Sequence, residues 1–97
     1  MNTDLKIAEP MDGMRVRLIY GDGFTTVLDL APALHGPIFE PVLDPDFFRR
    51  LQVESDTIRW PNGADIDPNV LRLWADKGRV LSHAETDEFF VSAQAAA

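Results

Sequence analysis

The stretch "MRVRLIYGDGFTTVLDL", residues Met14 to Leu30, decides the fold class. Met14 to Tyr20 alternates as a half-buried strand does, and Thr25 to Leu30 is β-branched and apolar again. Gly21-Asp22-Gly23 between them is a hairpin turn. Two registers compete. A two-residue Asp22-Gly23 loop sets Arg17 opposite Leu28 and Val16 opposite Asp29, which mixes the faces. A three-residue loop with Gly23 in the left-handed bulge position sets Val16 opposite Leu28 and Arg15 opposite Asp29. That register pairs apolar with apolar and charge with opposite charge, and it is the expected one. Lys6 to Met11 adds a strand before the hairpin, with Asp12-Gly13 as its turn.

Downstream, Pro32, Pro37, Pro41 and Pro45 break any long helix or central strand, because each proline removes a donor and restrains its predecessor. Short helical turns are expected over 31–50. Asp44-Pro45 is a helix start, Asp as N-cap and Pro at the first helical position, so that Phe47 or Phe48 plugs the core. Leu51 to Glu54 and Thr57 to Trp60 flank Ser55-Asp56 as a second hairpin, with Leu51, Val53, Ile58 and Trp60 expected to face inward.

The next stretch, Trp60-Pro61-Asn62-Gly63-Ala64-Asp65-Ile66-Asp67-Pro68, packs an indole, a carboxamide and two carboxylates into nine positions. Each has a structural task. Trp60 ends a strand and packs, Asn62-Gly63 turns the chain with positive φ, and Asp67-Pro68 repeats the helix start. With Asp67 as N-cap, Ile66 and Leu71 form a hydrophobic staple, while Lys77 and Gly78 close the helix. Ser82-His83-Ala84-Glu85 has capping-box form and opens a last helix whose first turns carry Glu85, Asp87 and Glu88, with Phe89, Phe90 and Ala93 close together on one face.

This order implies an α+β domain: a small antiparallel sheet of two hairpins plus an N-terminal strand, covered by short helices, with an extra C-terminal helix. The expected division is a single α+β domain over 1–78 and a helical extension over 79–97. Ninety-seven residues close one core. Without cysteine there is no disulfide framework or thiolate site. Neither a basic-then-apolar leader nor an apolar run of spanning length is present, so a cytoplasmic protein that does not bind membrane is expected.

Several of these elements together resemble a known family. Gly21-Asp22-Gly23, Leu28-Asp29-Leu30, Leu43-Asp44-Pro45-Asp46-Phe47 and Ile58 to Pro68 followed by Leu71 are similar to the small bacterial domain of unknown function 2442 family, over roughly residues 5–75. The Trp-Pro-Asn-Gly-x-Asp element is the most specific part. Arg72 departs from the tyrosine that often follows the leucine there, and the chain beyond Gly78 lies outside the pattern. The resemblance implies an α+β fold and, in many members, a place as the smaller, antitoxin-like product of a two-gene pair. Some members carry a fused helix-turn-helix, a pattern that does not occur here.

Sixteen acidic against nine basic residues give a net charge of −7. The acids are spread, five, five and six over 1–29, 30–60 and 61–97 against three bases each. Such a field disfavours direct nucleic-acid binding and attracts basic protein surfaces. No constellation for catalysis appears. His35 and His83 stand alone without metal-ligand spacing. Asp44, Asp46, Asp65 and Asp67 lack the glycine and closing glutamate of a calcium loop. Gly21-x-Gly23 has no helix after it to cradle phosphate. No enzyme, cofactor or metal is expected.

The reading is a non-enzymatic, antitoxin-like module that binds and neutralises a small basic partner protein through Glu85, Asp87, Glu88, Phe89 and Phe90, with the sheet face around Arg15, Arg17 and Ile19 as the other place for an interface. Two alternatives stand beside it: an acidic inhibitor that mimics nucleic acid before a nucleic-acid-binding protein, and a dimerising or ligand-sensing domain. The composition allows a homodimer.

Overall fold

A computed structural model describes residues 4–82 and 84–88. The chain runs through β1 (Leu5–Met11), β2 (Arg15–Tyr20) and β3 (Thr25–Asp29), then two 3-10 turns at Ala31–Ala33 and Pro37–Leu43. Next come α1 (Pro45–Phe48), β4 (Gln52–Glu54), β5 (Thr57–Arg59) and α2 (Pro68–Lys77). Residues 84–88 are helical. This is the expected α+β class, with the proline-rich middle reduced to short turns.

The first three strands form an antiparallel meander in the order β1-β2-β3. Val16 stands opposite Leu28 and Arg15 opposite Asp29, the register of the three-residue loop. Gly23 sits at φ +90°, its N–H donating to the Tyr20 carbonyl, while the Phe24 N–H donates to Asp22 Oδ1 at 3.0 Å. Alternation then sends Val16, Leu18 and Tyr20 into the core and leaves Arg15, Arg17 and Ile19 on the outer face.

The second hairpin forms a sheet of its own, β4 with β5, rather than extending the first. Ser55 and Asp56 both take positive φ, which gives the two-residue turn the twist such hairpins need. Leu51, Ile58 and Trp60 face inward as expected, but Val53 does not. It is paired with Ile58 yet 36% exposed. In a sheet of two three-residue strands both strands are edges, and alternation alone does not cover each position with another layer.

Caps do what the local sequence dictates. Asp44 accepts from the Asp46 N–H and starts α1, which puts Phe48, not Phe47, in the centre of the core. Asp67 accepts from the N–H groups of Asn69 and Val70, and Gly78 ends α2 in the left-handed conformation at φ +76°. Leu71, Leu73, Trp74 and Ala75 form the buried face of α2, joining Val16, Leu18, Leu28, Leu30, Val42, Phe48, Ile58 and Trp60 in a single core. Leu81 belongs to the same core. No helix among the described residues is long and apolar enough to cross a membrane.

Candidate functional site

The corner at Trp60–Pro68 is built from its own residues. The Trp60 N–H donates to the Ala64 carbonyl and the Gly63 N–H to the Trp60 carbonyl, both at 2.9 Å, with Gly63 at φ +89°. Asn62 accepts from the Ala64 N–H through Oδ1 at 3.2 Å and donates through Nδ2 to the Ile38 carbonyl at 2.8 Å, tying the corner to the second 3-10 turn. Trp60 is 1% exposed, and its indole N–H donates to the Phe48 carbonyl at 3.0 Å. Phe39 and Phe48 pack on the indole, with centroids 6.2 and 6.0 Å away. Asp65 bridges back to Arg59, and the Ile66 carbonyl accepts from the Thr57 hydroxyl. Pro61 is exposed, and Pro68 opens α2 behind its Asp67 cap. The Asp67 carboxylate therefore serves the backbone, and Asp65 takes part in the corner through its main chain. Among the described residues no three histidine, aspartate or glutamate side chains stand close enough together to hold a metal ion.

The C-terminal acids sit in a different setting. Ser82 and Glu85 exchange the two bonds of a capping box: the Ser82 N–H to Glu85 Oε1 at 3.0 Å, and the Glu85 N–H to Ser82 Oγ at 3.1 Å. Arg79 grips the same carboxylate with two nitrogens, at 2.9 and 3.4 Å. These contacts, the Arg79 bond first, hold the Glu85 carboxyl down at about 2 and push the Arg79 guanidinium up. Glu85 is thus committed within the chain. Thr86 is buried and its hydroxyl accepts from the Trp74 indole N–H at 3.3 Å, so residues 84–88 dock on α2. Asp87 and Glu88 are exposed. Phe89 and Phe90, like His83, lie outside the described residues.

Between the Ala31–Ala33 turn, α2 and residues 80–82 and 85–87 runs a groove of about 700 Å³. Val70, Trp74, Val80 and Leu81 supply apolar wall, and His35, Glu85 and Asp87 stand at it with polar groups. Its volume lies in the range of ligand sites, and its composition suits an apolar group with polar flanks. Trp74 lies within the helix expected between Asp67 and Gly78, and His35 stands alone in the sequence. Nothing local in the sequence brings them together.

A second cluster also escaped the sequence. Arg72 lies with its guanidinium carbon 4.5 Å from the centroid of Tyr20 and 4.8 Å from that of Phe24, two rings that stack on each other. Its Nε bonds Asp76 at 3.0 Å, and Nη2 reaches Asp22 at 3.5 Å. Burial pushes the Tyr20 phenol up to about 12, against the opposing pull of the Arg72 charge. Asp22 is held below its ordinary value, chiefly by the Phe24 N–H. The cluster clamps the tip of the β2–β3 hairpin onto α2. Of it, only the Arg72/Asp76 spacing of four was open to a sequence argument.

The meander, the Asp44 and Asp67 caps and the Trp60 corner now stand together, and a family profile for proteins of unknown function (DUF2442) matches residues 8–77. The chain belongs to the DUF2442 family. The match begins at Ala8 within β1, covers the rest of the three-stranded sheet, the corner and all of α2, and leaves the groove wall at 80–82 and 85–87 outside. Neither the curated proteins nor the solved structures contain a match to the chain.

Proposed function

We propose that this DUF2442 member is a non-enzymatic, antitoxin-like interaction module that binds and neutralises a small basic protein in the cytoplasm. One observation carries the reading: all sixteen carboxylates sit at exposed positions. Five of the nine cations, Arg17, Arg49, Arg59, Arg72 and Arg79, are engaged in ion pairs that take up Glu9, Asp12, Glu54, Asp76 and Glu85, and the remaining acids still outnumber the remaining bases. The negative field therefore faces outward and steers a basic surface towards the protein. The carboxylates are scattered over β1, β3, β4, α2 and the turns between them rather than set in one row, which supports a neutraliser over a nucleic-acid mimic. An apolar anchor for such a complex has a place in the groove beside Trp74, with Asp87 and Glu88 close in sequence to its wall.

The test is surface-bound kinetics with the protein that co-purifies, at low and high ionic strength. Added salt should slow association and leave dissociation little changed, because steering is screened and an apolar anchor is not. The double variant Asp87→Lys and Glu88→Lys should slow association at low salt. An on-rate indifferent to salt and to these reversals overturns the proposal.

A further inference from the structure

The two edges of the three-stranded sheet are built differently. β1 carries Pro10, a bulge between Leu5 and Ile7, and Lys6 at that bulge. These are the devices by which proteins blunt an exposed edge. β3, Thr25-Thr26-Val27-Leu28-Asp29, has no proline, lysine or bulge, and pairs with β2 without a register shift.

The direction of its backbone groups follows from the ladder. Tyr20 donates its N–H to the Phe24 carbonyl at 2.9 Å, and Leu30 donates to the Met14 carbonyl at 3.0 Å. Antiparallel pairs alternate, so Leu18–Thr26 and Val16–Leu28 are the hydrogen-bonded steps between these ends. Thr25, Val27 and Asp29 therefore turn their N–H and C=O away from β2. Among the described residues none of these six groups has a backbone partner outside the ladder. Thr25 and Asp29 are exposed and Val27 is 40% exposed, so the edge is open to solvent.

We propose that this edge pairs with the same strand of a second copy, antiparallel about a two-fold axis at Val27, making one continuous six-stranded sheet. The sequence of the strand is self-complementary in that arrangement. Val27 meets its counterpart, and Thr25 meets Asp29 of the other copy twice, so six backbone bonds form with no like charges directly opposed. The two Asp29 carboxylates fall about four residues apart along the strand, roughly 14 Å, beyond the screening length of physiological salt. The inference is independent of the basic partner, which other surfaces would meet.

A five-residue ladder buries less than the about 1,200–2,000 Å² of a stable complex, so association is weak and transient. The experiment is sedimentation velocity and amide hydrogen exchange on the full chain from about 10 μM to about 1 mM. Weight-average mass should rise from one chain towards two, and exchange at Thr25, Val27 and Asp29 should slow several-fold over that range. Added salt should strengthen the association, since it screens repulsion between two acidic chains; binding of a basic partner moves the other way. Val27→Lys and Val27→Glu each place like charges at the axis and should remain monomeric; the side chain is on the outer face, so both should stay folded, with the lysine variant melting somewhat lower because Arg17 stands opposite it. Mixed in equal amounts, the two variants should associate, since lysine then faces glutamate. A monomeric parent at the highest concentration overturns the proposal, as do dimers that survive either single variant and a mixture that fails to associate. Slow exchange at the three amides at every concentration overturns it too, by showing that the edge is covered within one chain.

Discussion

Replacing Trp60 isolates the corner's contribution to stability, and two variants divide it. Trp60→Ala removes an indole 1% exposed and packed between Phe39 and Phe48, and should cost about 3–5 kcal/mol. Trp60→Phe keeps a ring but removes the N–H that donates to the Phe48 carbonyl at 3.0 Å. That carbonyl also accepts from the Leu51 N–H at 3.3 Å, so it is not orphaned. The loss is then near the net value of one bond, about 1 kcal/mol. The smaller ring adds about 1 kcal/mol more for the unfilled space. The sum, about 2 kcal/mol, corresponds to about 8–16 °C in a domain of this size. Guanidinium unfolding followed by circular dichroism gives both values, and Trp74 remains as a fluorescent reporter in each variant. A Trp60→Ala protein within about 0.5 kcal/mol of the parent refutes the reasoning, since only a surface side chain behaves so. Loss of partner binding at unchanged stability would then move Trp60 to an interface.

Asp67→Ala removes the cap that serves two amide groups of α2 and should lower stability by about 1 kcal/mol, read by thermal unfolding, with Asp67→Asn recovering most of it. Tyr20 is the chain's single tyrosine, so ultraviolet titration of tyrosinate reports it alone; the folded protein should titrate at about 12. Because that value is raised above the ordinary 10.0, the stability it carries is complete below 10 and is lost as pH climbs towards 12, and titration at the ordinary value would refute the burial of the phenol. Glu85 has the opposite sign: its pKa is depressed from 4.5 to about 2, so its contribution is present above 4.5 and fades as pH falls towards 2. Docking of residues 84–88, followed by nuclear magnetic resonance of the Thr86 amide, should loosen over that window in the parent, whereas Glu85→Gln should be loosened already at neutral pH.

What the sequence by itself determined lies within a few residues of its cause. The Asp44 and Asp67 caps, the Gly78 stop and the Ser82/Glu85 capping box are bonds between neighbours in the chain, so a side chain and the amide it serves can be named without knowing what surrounds them. The β2–β3 register was equally open, because a short loop leaves two alignments and only one keeps Val16 with Leu28. The tertiary structure decided what depends on a third element. Val53 has the pattern of an inward residue, but whether a layer covers it depends on where β4 and β5 lie, and they form a separate sheet. Arg72 meets Tyr20 and Phe24 across some fifty residues of chain, and Trp74 meets Thr86 and the Ala31–Ala33 turn to make the groove. Such contacts are selected by packing of the whole core, where many side chains of similar size and polarity compete for each place, and a linear pattern carries no record of which of them wins.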